Sequence, residues 1–414
     1  MNKRTLIYLA LGISLLTGLP GVTGQDQDDP TLLLDLGRPS VRGRTLDISP
    51  GTIYSAQSGA SVTFDRMIRD LGSCRYVFIG ESHNSLAMHD IQLAVIRGLR
   101  ERGGELVVGL EMYPMTDQEP LTKWSLGLLT DAEFLDEGRW YVNWNFNFGY
   151  YRKIFEYCKE MSIPLRALNV PRDIISRVRM GGWESLSEDQ KKLVPALDLT
   201  QADHKRLIRA VFSSTELPPQ MKGAGLDMMF EGLYRSQVAW DETMAANARQ
   251  AFQVGKARVV VLAGSGHLLY HLGINYRVSQ KDPSPSRTIV CVSVPSGLKS
   301  LKVSRGLADY IWAIPEEARP AFPEIGLAFK RFGGLDNLVV DRKPIDGAAS
   351  ASDFDKGDVI LSVDGKVFSD INALRTYLAG FGWDEEVKFR LLRAGQEKEV
   401  ILKLVQPPPK EPAK

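Results

Sequence analysis

"YVFIGESHNSLAMH", residues 76–89, is an apolar run that stops abruptly at Gly80 and Glu81 and then carries His83 and His89. The chain has five histidines in 414 residues, so two of them within seven positions ask for a chemical reason. A run apolar on successive positions reads as a strand buried on both faces, and its polar end puts a carboxylate and two imidazoles just beyond the strand.

The pattern recurs in RYVFIG (75–80), ELVVGLEMY (105–113), IPLRALNV (163–170), ARVVVLAGSGH (257–267) and RTIVCVSV (287–294), with amphipathic stretches between. Doubly buried strands alternating with helices predict an α/β fold, a mostly parallel sheet flanked by helices. A mainly helical insert runs from about 171 to 256, and its methionines around Met221–Met244 read as irregular core packing. Pro315, Pro320 and Pro323 then form a stiff linker. Beyond it, "IGLAFKRF" to "EVILKL" alternates in a β manner around one helix, Asn372–Ala379, which predicts a small β-rich domain. The expected boundaries are 25–47 for a flexible acidic leader, 48–315 for the α/β domain, 322–406 for the small domain and 407–414 for a proline-rich tail.

With 44% hydrophobic and 24% charged residues the composition is that of a soluble globular protein, and a net charge of +1 gives no support for nucleic acid as a partner. Residues 1–24 differ: Lys3 and Arg4 precede the apolar stretch 6–19, and Val22-Thr23-Gly24 supplies small residues for cleavage. This reads as an export signal and predicts a periplasmic or secreted protein. The stretch is short of the ~20 residues of a membrane span, and no cysteine near the cut marks a lipid anchor. Loss of Lys3 and Arg4 moves the charge from +1 to −1. Cys74, Cys158 and Cys291 lack zinc spacing and read as small core hydrophobes, with one disulfide left open.

Ligands of open α/β sheets bind beyond the carboxyl ends of the strands. Four of the five histidines, His83, His89, His267 and His271, follow two separate strands there, and Glu81, Glu111, Tyr113, Asn169 and Arg172 lie at strand ends too. On a helix from about Ser85 to Arg100, His89 shares the face of Leu86, Leu93 and Ile96 and points inward. A convergent site of imidazoles and carboxylates is expected if the two strands are neighbours; His267 is the better candidate of its pair, and His271 a structural or supporting residue. Gly264-Ser265-Gly266 fits neither a nucleophile elbow nor a dinucleotide loop. The aromatics of 139–158, Trp140 to Tyr151 among them, either wall a flat apolar ligand or form a packing cluster.

GESHNSLAMHDIQ (80–92), GLEMY (109–113), SQVAWDETMAANA (236–248), VVVLAGSGHLLYHLGINYR (259–277) and ADYIW (308–312) resemble, in order, the ChaN-like haem-binding uptake family of the Tiki superfamily over about residues 48–315. The resemblance implies an exported haem-binding protein linked to iron acquisition, in some members with two haems stacked across a dimer, so a homodimer is among the implied assemblies. It implies ligation by tyrosine with histidine nearby; Tyr113 is the candidate tyrosine, with His83, His89 and His267 as the cofactor-binding histidines. Related branches include metal-dependent hydrolases and peptidases. That keeps open a second reading in which His83, His89, Glu111 and His267 hold a divalent metal ion and Glu81 or Glu111 is the base. Residues 322–406 resemble a PDZ domain: Gly326-Leu327-Ala328-Phe329 matches the carboxylate-binding loop and KGDVILSVDGKVF (356–368) the strand-turn region, although the turn in KPIDGAASASDFDKGD departs from the usual pattern. A peptide or protein C-terminus is the partner this implies.

Overall fold

The computed structural model describes residues 30–214, 225–255, 257–331 and 337–406. The export signal and the proline-rich tail lie outside the described residues. Two compact units emerge: one holds residues up to 128 together with 153–317, the other 129–152 together with 318–406.

The larger unit is built on an eight-stranded sheet. Its strands are β2 (Thr52–Ser55), β3 (Ser61–Val62), β4 (Tyr76–Glu81), β5 (Leu106–Pro114), β6 (Leu165–Asn169), β7 (Arg258–Gly264), β8 (Ser286–Val294) and β10 (Tyr310–Pro315), in the order β3-β2-β10-β8-β4-β7-β5-β6. From β10 to β6 every pairing is parallel, and β2 and β3 close one edge antiparallel. β1 (Thr45–Ile48) and β9 (Leu301–Ser304) form a separate ribbon. All five strands expected from the apolar runs are present.

Burial explains the runs, since β4 is buried at every position and β7 at all but its first. One face of the sheet is covered by the helix Leu226–Gly255, which packs Met244, Ala245 and Ala248 against Tyr76, Phe78, Val259 and Val261. Met88 and Ile91 of the helix Leu86–Glu101 pack with Cys291 and Ile314. The three cysteines are buried and unbridged. Of the insert's methionines, Met244 is core and Met229 is partly buried, but Met228 is exposed, so core packing explains only some of them; Met221 lies outside the described residues.

The expected flexible leader is ordered from Pro30. Leu32, Leu36 and Val41 are buried, and β1 pairs with β9, because the leader's leucines find a core that its acidic composition conceals. No helix among the described residues is long and apolar enough to cross a membrane.

The smaller unit carries an antiparallel sheet in simple sequence order: β11 (Phe329–Arg331), β12 (Leu338–Val340), β13 (Val359–Val363), β14 (Glu386–Arg393) and β15 (Gln396–Lys403). The helix Ile371–Leu378 buries Leu374 and Leu378 in its core. Residues 129–152, expected within the α/β domain, belong to this unit, and their aromatics pack on one another: Trp140 meets Phe148 edge-on at 5.0 Å and Tyr151 at 5.3 Å. A packing cluster, rather than an open wall, is their role.

Candidate functional site

β4 and β7 are immediate neighbours, with Glu81 opposite Gly264, and β5 lies on the other side of β7. The histidine-bearing turns after β4 and β7 therefore share one end of the sheet with Glu111. Gly264 is where they meet: a Cβ there would lie 2.8 Å from Cε1 and 3.2 Å from Nε2 of His83, and 3.7 Å from Oε2 of Glu111. Only glycine leaves room for that imidazole. Gly80 has the same role one strand over, where a Cβ would press on Ser265 at 2.9 Å.

Two buried imidazole–carboxylate groups face this point. In the first, Nδ1 of His83 lies 2.6 Å from Oε1 of Glu81, and Nε2 of His89 lies 3.7 Å from the other Glu81 oxygen. His89 Nδ1 is 2.6 Å from the Ser85 carbonyl at the start of its helix, confirming the inward orientation. In the second, His267 stands between two acids: Nδ1 is 2.6 Å from Asp241 Oδ1 and Nε2 is 3.2 Å from Glu111 Oε1. The Gln237 amide lies 2.8 Å from the same Nδ1, and the Gly264 N–H donates to Glu111 Oε2 at 2.6 Å.

Asp241 extends the second group inward. His204 Nε2 lies 3.3 Å and Arg277 Nη1 3.6 Å from Asp241 Oδ2, and Arg277 also pairs with Glu242 at 3.0 Å. His204, Asp241, Gln237 and Arg277 are buried participants that sequence reasoning did not single out. The signal for three of them was in the quoted blocks: 236–248 contains Gln237 and Asp241, and 259–277 ends in Arg277. His204 sits on the helix Ala202–Ser214 with no local pattern to mark it.

Charge is unevenly held. Burial disfavours the His267 cation, but Glu111 and Asp241 outweigh it and lift the imidazole to about 10. Burial raises the Glu111 carboxyl, and His267, His83 and the Gly264 N–H pull it down to about 2. His83 is likewise raised, because Glu81 overcomes desolvation. His89 is lowered by burial, and His204 is lowered to about 3 by burial in spite of Asp241. His271 is apart from this site: its Nε2 is 3.9 Å from Asp309, burial lowers it to about 4, and it is structural. Asn169 donates to the Glu111 carbonyl, and burial lowers Arg172.

A family model described as haem-binding uptake, Tiki superfamily, ChaN matches residues 67–278, which include both histidine turns, Glu111 and Asp241. The chain belongs to this ChaN family. A PDZ-domain model matches residues 323–404. The structure of ChaN of Campylobacter jejuni, described as binding haem cofacially, is 17% identical with a TM-score of 0.50, covering 63% of this chain and 95% of that one; this likeness shows the fold. A curated relative, Protein RETICULATA-RELATED 5, chloroplastic, of Arabidopsis thaliana, is 25% identical over 262 residues, 60% of this chain. The match spans about a third (35%) of that protein's length. An erythromycin esterase structure is 15% identical with a TM-score of 0.37, covering 59% of this chain and 78% of that one.

For a ChaN-family chain, the donors can be tested against haem. Of the donors that haem iron takes, the candidates here are imidazole nitrogen and tyrosine phenolate. His83 fits: Glu81 anchors Nδ1, a carboxylate–imidazole pairing that fixes the ring and raises the basicity of the other nitrogen, and Nε2 is turned toward Gly264. His267 has an acid at each nitrogen, which raises its proton affinity and leaves it less ready to ligate. Tyr113, the expected tyrosine ligand, is fully buried near the end of β5 with its phenol pushed well up by desolvation, so ligation through it would have to displace that proton. Among the described residues no three His, Cys, Asp or Glu side chains are grouped as a metal ion requires.

Proposed function

We propose that this ChaN-family chain is an exported haem-binding protein in haem or iron handling, and that its PDZ unit holds a peptide or protein C-terminus. One observation carries the haem reading: His83, within the matched family region, is braced by Glu81 at one nitrogen and turned toward Gly264 at the other. His83 would hold the iron, and haem would supply the redox-active, dioxygen-reactive metal that such proteins bind or pass on. His83 carries a raised proton affinity, so ligation requires loss of that proton and tightens as pH rises. Export rests on the charged and apolar residues 1–24. Hemin titration of the purified chain tests the reading through a saturable shift of the Soret band.

A hydrolytic reading is favoured by one different observation, the placement of His267 between Glu111 and Asp241, which raises its proton affinity. A fixed cation at a strand end stabilises negative charge developing on a substrate oxygen. Glu111, ionised down to about 2, is a weak base, which leaves Glu81 to activate water in that reading. Turnover in an ester and peptide screen that His267→Gln abolishes would support it.

A further inference from the structure

We propose that residues 129–152 are a strap built into the PDZ unit, which positions its helix Ile371–Leu378 and the segment entering the Gly326 loop. The proposal uses the peptide-binding reading only to say what that positioning serves.

The strap holds the helix at its start, middle and end. Arg139 pairs with Asp370, the helix cap, at 3.2 Å, using the carboxylate oxygen that does not cap the Asn372 and Ala373 N–H groups. The Tyr141 N–H donates to Asn372 Oδ1 at 3.0 Å, and Asn372 Nδ2 donates to the Leu135 carbonyl at 2.8 Å. Arg375 donates to the Tyr141 carbonyl at 2.7 Å and to Asn145 Oδ1 at 2.8 Å, and Asn147 donates to the Ala379 carbonyl at 2.9 Å. Asn372, Arg375 and Ala379 are spaced by three and four residues, so they form one helix face.

Beyond the helix the strap turns to the loop. The Phe322 N–H donates to Tyr150 Oη at 3.3 Å, and the two rings meet edge-on at 4.9 Å. Gly149 is packed so closely that a Cβ would lie 2.2 Å from Phe322 Cζ. Phe322 stands four residues before Gly326, whose φ of +76° and contact with the Asp346 carbonyl, 2.0 Å from a built Cβ, admit only glycine. Among the described residues β11 pairs only with β12, and the strap forms no ladder on its other edge. A peptide added there as a strand would lie between parts that the strap holds.

Asn372 decides the energetics. It is buried, and its amide is satisfied at both ends by strap backbone, so a PDZ domain cut at residue 322 leaves it unpaired. The strap is also continuous in sequence with the larger unit at both of its ends, so it makes an element inside the ChaN-family region a working part of the PDZ unit.

Hydrogen exchange on the full chain tests this in wild type, Asn372→Ala and the milder Asn147→Ala, alongside capture of random decapeptides with free or amidated C-termini. Both variants should speed exchange in 370–380, Asn372→Ala by about tenfold or more, with the larger unit unchanged. Free-carboxylate peptides captured by wild type should be held less by the variants. Wild-type protection of 370–380 in both variants overturns the strap. Faster exchange in variants of a chain that captures no free-carboxylate peptide upholds the strap and removes the peptide reading instead.

Discussion

Nδ1 of His267 lies 2.6 Å from Oδ1 of Asp241, joining the turn after β7 to the middle of the helix that covers the sheet. Both side chains are buried, so the pair stands or falls together. Replacing Asp241 by Asn removes the acid that helps keep His267 protonated and leaves Arg277 with less compensation. Asp241→Asn should cost about 3–5 kcal/mol of stability by denaturant titration, and the His267 imidazole, followed by NMR, should titrate lower in the variant than in wild type, where Glu111 and Asp241 together raise it.

Stability should peak near the ordinary histidine pKa of ~6.5. His267 is raised to about 10, so its contribution is complete below 6.5 and drains away as pH climbs through 10; His83 adds in the same direction. His204 and His271 are lowered to about 3 and about 4, so below 6.5 the unfolded chain takes protons that the folded chain refuses, and stability falls toward acid. Glu111, held at about 2, adds to the acid limb only below the usual carboxylate range. His267→Gln should flatten the alkaline limb in urea melts at several pH values, and His204→Gln should flatten the acid one.

Gly264→Ala puts a Cβ against the His83 ring, which packing fixes from the other side through Glu81. The expected loss is about 1–3 kcal/mol in thermal or chemical unfolding, the cost of overpacking a close-packed site. Hemin affinity should fall with it. An unchanged melting curve would mean that the His83 ring has room the geometry denies.

Much of this was legible in sequence because the strands are buried on both faces. Val77, Phe78 and Ile79 in β4, like Val259 to Leu262 in β7, leave no polar residue to blur the run. The inward turn of His89 followed from helical spacing alone. That β4 and β7 are neighbours is a tertiary fact: β7 inserts between β4 and β5 although a long insert separates it from both in sequence. His204 and Asp241 were hidden for the same reason, since a polar residue on an amphipathic helix looks solvated until its partners are known. That 129–152, inside the family-matched region, packs with the smaller unit was not legible, because aromatic density at Trp140, Phe148 and Tyr151 signals burial without saying against which unit.

Gly326→Val tests the small unit separately. With φ at +76° and the Asp346 carbonyl 2.0 Å from a built Cβ, the loop should be displaced. Exchange should rise in 322–331, while hemin titration of the full chain stays as in wild type.

The most direct test of the central claim is hemin titration of the full chain followed in the Soret region, beside His83→Ala. Wild type should give a saturable, shifted band, and the variant at least about a tenfold weaker affinity or an altered band, as expected on losing the residue that would hold the iron. A wild-type spectrum indistinguishable from free hemin would contradict that claim, as would a His83→Ala titration that overlays the wild-type curve.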